Sequence, residues 1–79
     1  AKAKIELPIE QIDKALKKLP SLLSGYELDF QDGVKAIAPD HWIHIRKSGT
    51  EPVIRIYAES DSLQRSEQLC QDILNKLNS

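Results

Sequence analysis

Charge of one sign, cysteine, aromatics and long apolar runs are all scarce in this chain, and each scarcity removes a class of function. Eleven Lys and Arg stand against twelve Asp and Glu, a formal net charge of −1, so no general field draws nucleic acid or an anionic membrane to it. By composition this is not a basic DNA-binding domain. The single cysteine, Cys70, has no partner for an internal disulfide. It falls on the apolar stripe of a predicted helix and reads as a small buried hydrophobe in a reducing, cytoplasmic setting. No apolar run nears the roughly 18 residues of a membrane span, and the opening AKAKIELPIEQ lacks the apolar core of a signal peptide. The expectation is a soluble protein. Two histidines and scattered carboxylates do not make a metal-ligand set. At 79 residues the chain has room for one small core, so any site must lie on its surface or at an edge.

What is present is periodicity. Pro8 is placed to open a helix, and Ile9, Ile12, Leu16 and Leu19 follow at spacings of three and four until Pro20 stops it. Tyr26 to Phe30 alternates as a strand, Asp32-Gly33 signals a hairpin, and Val34 to Ala38 returns as a weaker strand ended by Pro39. Two further strands follow, around His41–Ile45 and Val53–Tyr57. From Ser60 the period becomes helical, with Asp61 as N-cap, Gln64 completing a capping box, and a stripe of Leu63, Ser66, Cys70, Ile73 and Leu77. The expected fold is α+β: a four-stranded, mainly antiparallel sheet with two helices on one face. Residues 1–8 are expected to be the end of a linker and 9–79 a single domain.

Between the last two strands lies RKSGTEP, residues 46 to 52, far more polar than a hairpin turn requires. By alternation Ile43, Ile45, Ile54 and Ile56 point to the helices, while Trp42, His44, Arg46, Arg55 and Tyr57 point to the open face. A Ser-Gly-Thr turn can converge backbone N–H groups into an anion-holding nest, with Gly49 permitting the backbone angles and the Ser48 and Thr50 hydroxyls adding donors. Arg46 and Arg55 bring forked donors suited to phosphate oxygens. This is not a nucleotide P-loop, whose glycine spacing and helix start are missing. Ser, Gly, Thr and Pro are equally ordinary turn residues, and the residues alone leave both readings open.

The stretch RKSGTEPVIRIYAES, preceded by DGVKAIAPDHWIHI and followed by an amphipathic helix, resembles the C-terminal domain of the α-D-phosphohexomutases, the phosphomannomutases, phosphoglucomutases and phosphoglucosamine mutases. Their signature, roughly Arg-x-Ser-Gly/Asn-Thr-x-Pro with an arginine on the next strand, is met by Arg46, Ser48, Gly49, Thr50, Pro52 and Arg55. The likeness covers about residues 9 to 78. It implies a TATA-binding-protein-like fold with a four-stranded sheet. It also implies an enzyme that moves a phosphoryl group between C1 and C6 of a hexose through a phosphoserine and a bisphosphate intermediate.

The same resemblance makes Arg46, Ser48, Gly49 and Thr50 contacts to the phosphate that is not being transferred, with Arg55 a supporting donor. Lys47 departs from the proline of many members; adjacent strand residues face opposite sides, which favours a solvated side chain there. Lys47, Glu51 and Pro52 are candidate loop-shaping residues. Trp42 and Tyr57 read as packing residues and His44 as a surface histidine. The family's phosphoserine, magnesium and sugar loops have no counterpart here. The chain is therefore expected to be a domain of a larger enzyme, inactive as a mutase alone, with no catalytic residue or cofactor of its own and Mg2+ in the full-length enzyme. Its expected partners are a hexose phosphate and the other domains of that enzyme, with no nucleic acid and no membrane. A phosphoglucosamine mutase domain is an alternative within the family. Outside it, a single-stranded nucleic-acid-binding sheet is disfavoured by the acidic balance and sparse aromatics, and a protein-interaction sheet is the other alternative.

Overall fold

The computed structural model describes residues 1–8, 12–47 and 53–77. Its elements in chain order are β1 (Lys2–Pro8), α1 (Ile12–Leu22), β2 (Glu27–Asp29), β3 (Val34–Ala38), β4 (His41–Lys47), β5 (Val53–Glu59) and α2 (Leu63–Leu77). The five strands form one sheet in the order β1-β5-β4-β3-β2, antiparallel at every pairing. The expectation of four strands is corrected to five, and the segment expected to be a linker end supplies the extra one. In β1 the outward side chains of Lys2, Lys4 and Glu6 alternate with half-buried Ala3 and Ile5. Pro8, which has no N–H to donate, ends this edge strand instead of opening a helix. Charged side chains on an edge also discourage pairing with another chain.

Alternation sorts the sheet into two faces. Val34, Ala36, Ile43, Ile45, Ile54, Ile56 and Ala58 are buried on one, where Leu19 of α1, Leu23 just beyond it, and Cys70, Ile73 and Leu77 of α2 complete a single core. Burying a side chain of this size contributes about 1.5–3 kcal/mol. That pull explains why Pro20 does not stop α1 as its residue type suggests. Pro20 is exposed, while Leu19 and Leu23, one turn apart, are both buried, and the Leu23 N–H reaches the Leu19 carbonyl at 3.0 Å.

Two other local expectations change. Ser62 and not Asp61 caps α2, its hydroxyl accepting the Arg65 N–H at 3.1 Å. Asp61 instead pairs with Arg65 at 3.5 Å, one turn along. Leu63 sits in the first turn at 53% exposure, outside the buried stripe. Ser66, in the middle of that stripe, is fully buried because its hydroxyl donates to the Ala1 carbonyl at 2.9 Å and meets the Ser60 hydroxyl at 2.7 Å.

Candidate functional site

Cross-strand register builds the site. On the open face Arg46 and Arg55 stand directly opposite each other on β4 and β5, in the last outward-facing row before residues 48–52 connect the two strands. Like charges directly opposite on a sheet are destabilising, so the arrangement requires compensation. Two carboxylates provide it. Asp32, in the turn between β2 and β3, approaches Arg46 Nη1 with Oδ2 at 3.6 Å. Glu6, the direct cross-strand partner of Arg55 on β1, places Oε1 at 3.4 Å from Nε. The row therefore reads acid, base, base, acid across the width of the sheet.

The guanidinium side chains are only 43% and 37% exposed, respectively. Partial shielding strengthens an ion pair relative to open solvent. The Asp32–Gly33 turn is held against β4. Gly33 has a φ of 70°, and a Cβ there would collide with the Ile45 carbonyl oxygen and crowd Arg46. His44 Nε2–H donates to the Asp32 carbonyl, fastening the same turn from below. Sequence periodicity placed His44 on the surface; in the structure it is half-buried and holds the turn that carries Asp32.

Tyr57 lies opposite His44, with ring centroids 6.2 Å apart. Trp42 donates to Glu59 at 2.7 Å and lies under the Lys35 ammonium, 4.8 Å from the ring centroid. Both aromatics are engaged in packing within the sheet face. Lys47 is exposed and alternates to the side opposite Arg46. The remaining sequence-predicted site residues, Ser48, Gly49, Thr50, Glu51 and Pro52, lie outside the described residues.

A second polar cluster occupies the other end of β4, and no sequence signal pointed to it, because its members come from three separate stretches. His41 Nδ1–H donates to Asp40 at 2.7 Å, and His41 Nε2 accepts the Tyr26 hydroxyl at 2.7 Å. Arg65 closes the group on Asp40 at 3.1 Å. The hydrogen bond from His41 and the Arg65 guanidinium hold the Asp40 carboxyl below its ordinary range, whereas burial raises the Tyr26 phenol. This cluster ties the entry to β2, the β3–β4 turn and α2 together. It lies at the far end of β4 from the arginine pair.

Among the described residues no group of three or more His, Cys, Asp or Glu is placed to hold a metal ion. Nor is any helix there long and apolar enough to cross a membrane.

Fold and site together define a small α+β domain whose open sheet face carries an opposed arginine pair beside a strand-to-strand connection. The chain belongs to the family described as "Phosphoglucomutase/phosphomannomutase, C-terminal domain", which it matches over residues 1–76. It is 46% identical over 44 residues to a phosphoglucomutase/phosphomannomutase of Thermococcus kodakarensis, covering 56% of this chain and 10% of that protein. It is 39% identical over 71 residues to a phosphoglucosamine/phosphogalactosamine mutase of Sulfurisphaera tokodaii, covering 90% of this chain and 14% of the relative. A probable phosphoglucosamine mutase of Methanopyrus kandleri is 39% identical over 67 residues, with 82% and 15% covered. These relatives are mutases, so the domain belongs to an enzyme family. The chain spans only a small fraction of the length of each.

Proposed function

We propose that this chain is the phosphate-holding C-terminal domain, of the TATA-binding-protein-like kind, of a phosphohexomutase that interconverts hexose 1-phosphates and 6-phosphates through a phosphoserine and a bisphosphate intermediate. The observation that carries this reading is the Arg46–Arg55 pair. Two guanidinium groups are held opposite each other, at a cost to the sheet, in the row that leads into residues 48–52. A phosphate dianion between them relieves that repulsion, accepts forked N–H donors from both, and gains backbone and hydroxyl donors from Ser48, Gly49 and Thr50. Lys47, Glu51 and Pro52 shape the loop. The site grips a phosphate remote from the bond being broken, so its binding energy positions the sugar.

The phosphoserine and a Mg2+ site belong to other domains of the parent enzyme, which are this domain's partners together with the hexose phosphate. No catalytic group is assigned to this domain, the 79-residue chain has no mutase activity alone, and the parent works in the cytoplasm with neither nucleic acid nor a membrane as partner. A phosphoglucosamine mutase is the second reading, favoured by the names of the Sulfurisphaera and Methanopyrus relatives. Assaying the parent enzyme on glucosamine, glucose and mannose phosphates separates the two.

Titration of the 15N-labelled chain with inorganic phosphate and with glucose 6-phosphate tests the site. Amides of Ser48, Gly49 and Thr50 are expected to shift, with weak affinity because the sugar's other contacts are missing, and Arg46→Ala abolishes the shifts. Shifts of open-face amides with a single-stranded RNA, while the loop amides stay still under phosphate, would falsify the proposal.

A further inference from the structure

An anion held by the arginine pair needs both guanidinium groups aimed before it arrives, because ordering a long side chain at the moment of binding subtracts from affinity. We propose that Glu6 is the positioning residue of Arg55, holding the guanidinium through Nε so that both Nη groups are left to face the anion. The inference rests on the anion-binding reading above and deepens it.

Three observations point to Glu6. Arg55 Nε is shut off from solvent and makes no aligned hydrogen bond to any described residue, and the Glu6 carboxylate beside it, at 3.4 Å, meets its charge as a close ion pair. The contact is set by register, since Glu6 and Arg55 are direct cross-strand neighbours on β1 and β5. Glu6 is in turn steadied from its own strand, where Lys4 Nζ lies 3.3 Å from the same oxygen.

The two flanking acids also differ in what they occupy. A guanidinium has one N–H on Nε and two on each Nη. Asp32 approaches Arg46 at Nη1, a group that a forked contact to phosphate also uses, so Asp32 competes with the anion. Glu6 approaches Arg55 at Nε and not at a terminal nitrogen of the fork. Deleting Glu6 therefore has two opposed effects: loss of a negative charge near the anion favours binding, and loss of the orienting contact disfavours it.

The paired variants Glu6→Gln and Glu6→Ala separate these effects, because both remove the charge and only Gln keeps an acceptor oxygen within reach of Nε. Phosphate affinity of the 79-residue chain, measured by NMR titration, is expected to be about three- to tenfold weaker in Glu6→Ala than in Glu6→Gln. The Arg55 Nε–H signal should exchange faster with water in the Ala variant alone. Should alanine loosen β1, Glu6→Thr replaces it, being a good strand former too short to reach Arg55. Equal affinity in the Gln variant and the shortened variant, with Arg55→Ala abolishing binding, overturns the role of Glu6 and leaves the anion site standing. A wild-type chain that shows no phosphate titration at all overturns both.

Discussion

Arg46 and Lys47 are neighbours of the same charge, and strand alternation gives them different fates. Arg46 lies on the open face opposite Arg55, whereas Lys47 alternates to the other side opposite Ile54. On the proposed function, Arg46→Ala in the parent enzyme would remove charge-assisted bonds to the substrate phosphate and is expected to lower kcat/KM by roughly 10- to 100-fold, while Lys47→Ala does far less; steady-state kinetics on both variants checks it. Equal small effects from the two would mean that the loop is only a turn. Gly33→Ala is expected to destabilise the fold by about 1–3 kcal/mol, read from urea denaturation, because its φ of 70° and the Ile45 carbonyl leave no room for a Cβ. Asp40 makes a prediction in pH. Its folded-state pKa is depressed, first by the hydrogen bond from His41 and then by Arg65, so its contribution is complete above the ordinary carboxylate value and is lost as pH falls through the folded one. The gap in Tm between wild type and Asp40→Asn should be present at about pH 7 and begin to narrow only as pH falls below about 4.

Among the elements, β1 carries the most consequence. It pairs along its whole length with β5, from Lys2 opposite Glu59 to Pro8 opposite Val53, and it brings Glu6 to Arg55. A chain lacking residues 1–8 leaves β5 as a bare edge and uncovers one side of the core at Ile54, Ile56 and Ala58. It is expected to lose its cooperative thermal transition by circular dichroism; a sharp transition near the wild-type Tm would show that four strands suffice. The helix α2 depends on a buried polar contact as well as its apolar stripe. Ser66→Ala removes one of the two partners of the Ala1 carbonyl and one of those of the Ser60 hydroxyl, a loss expected to cost about 0.5–1.5 kcal/mol in denaturant titration.

At the scale of the whole molecule, one face of the sheet is spent on stability and the other is left to carry charge. The helices and the buried face form a single core, and Cys70 lies inside it, its thiol pKa raised by burial and its Sγ donating to the Ile56 carbonyl at 3.6 Å. A thiol reagent should therefore react with Cys70 only as fast as the domain opens, and faster modification would indicate local fraying of α2. Among the described residues no helix covers the open face, which carries the acid-base-base-acid row.

The α+β class, the faces of β4 and β5, and the polar connection between them are legible in the chain alone, because all of these follow from period-two or helical spacing within a few residues and from the likeness of RKSGTEP to a known signature. Tertiary structure alone decided the fifth strand, since Lys2–Pro8 becomes a strand only by pairing with β5, nearly the whole chain away. It decided that α1 runs through Pro20, because burial of Leu23 outweighs a local stop signal. It also decided which acids serve the arginines: Glu6 and Asp32 are distant from Arg55 and Arg46 in the chain, and only the register of neighbouring strands and the tight turn at Gly33 bring their carboxylates within ion-pair distance.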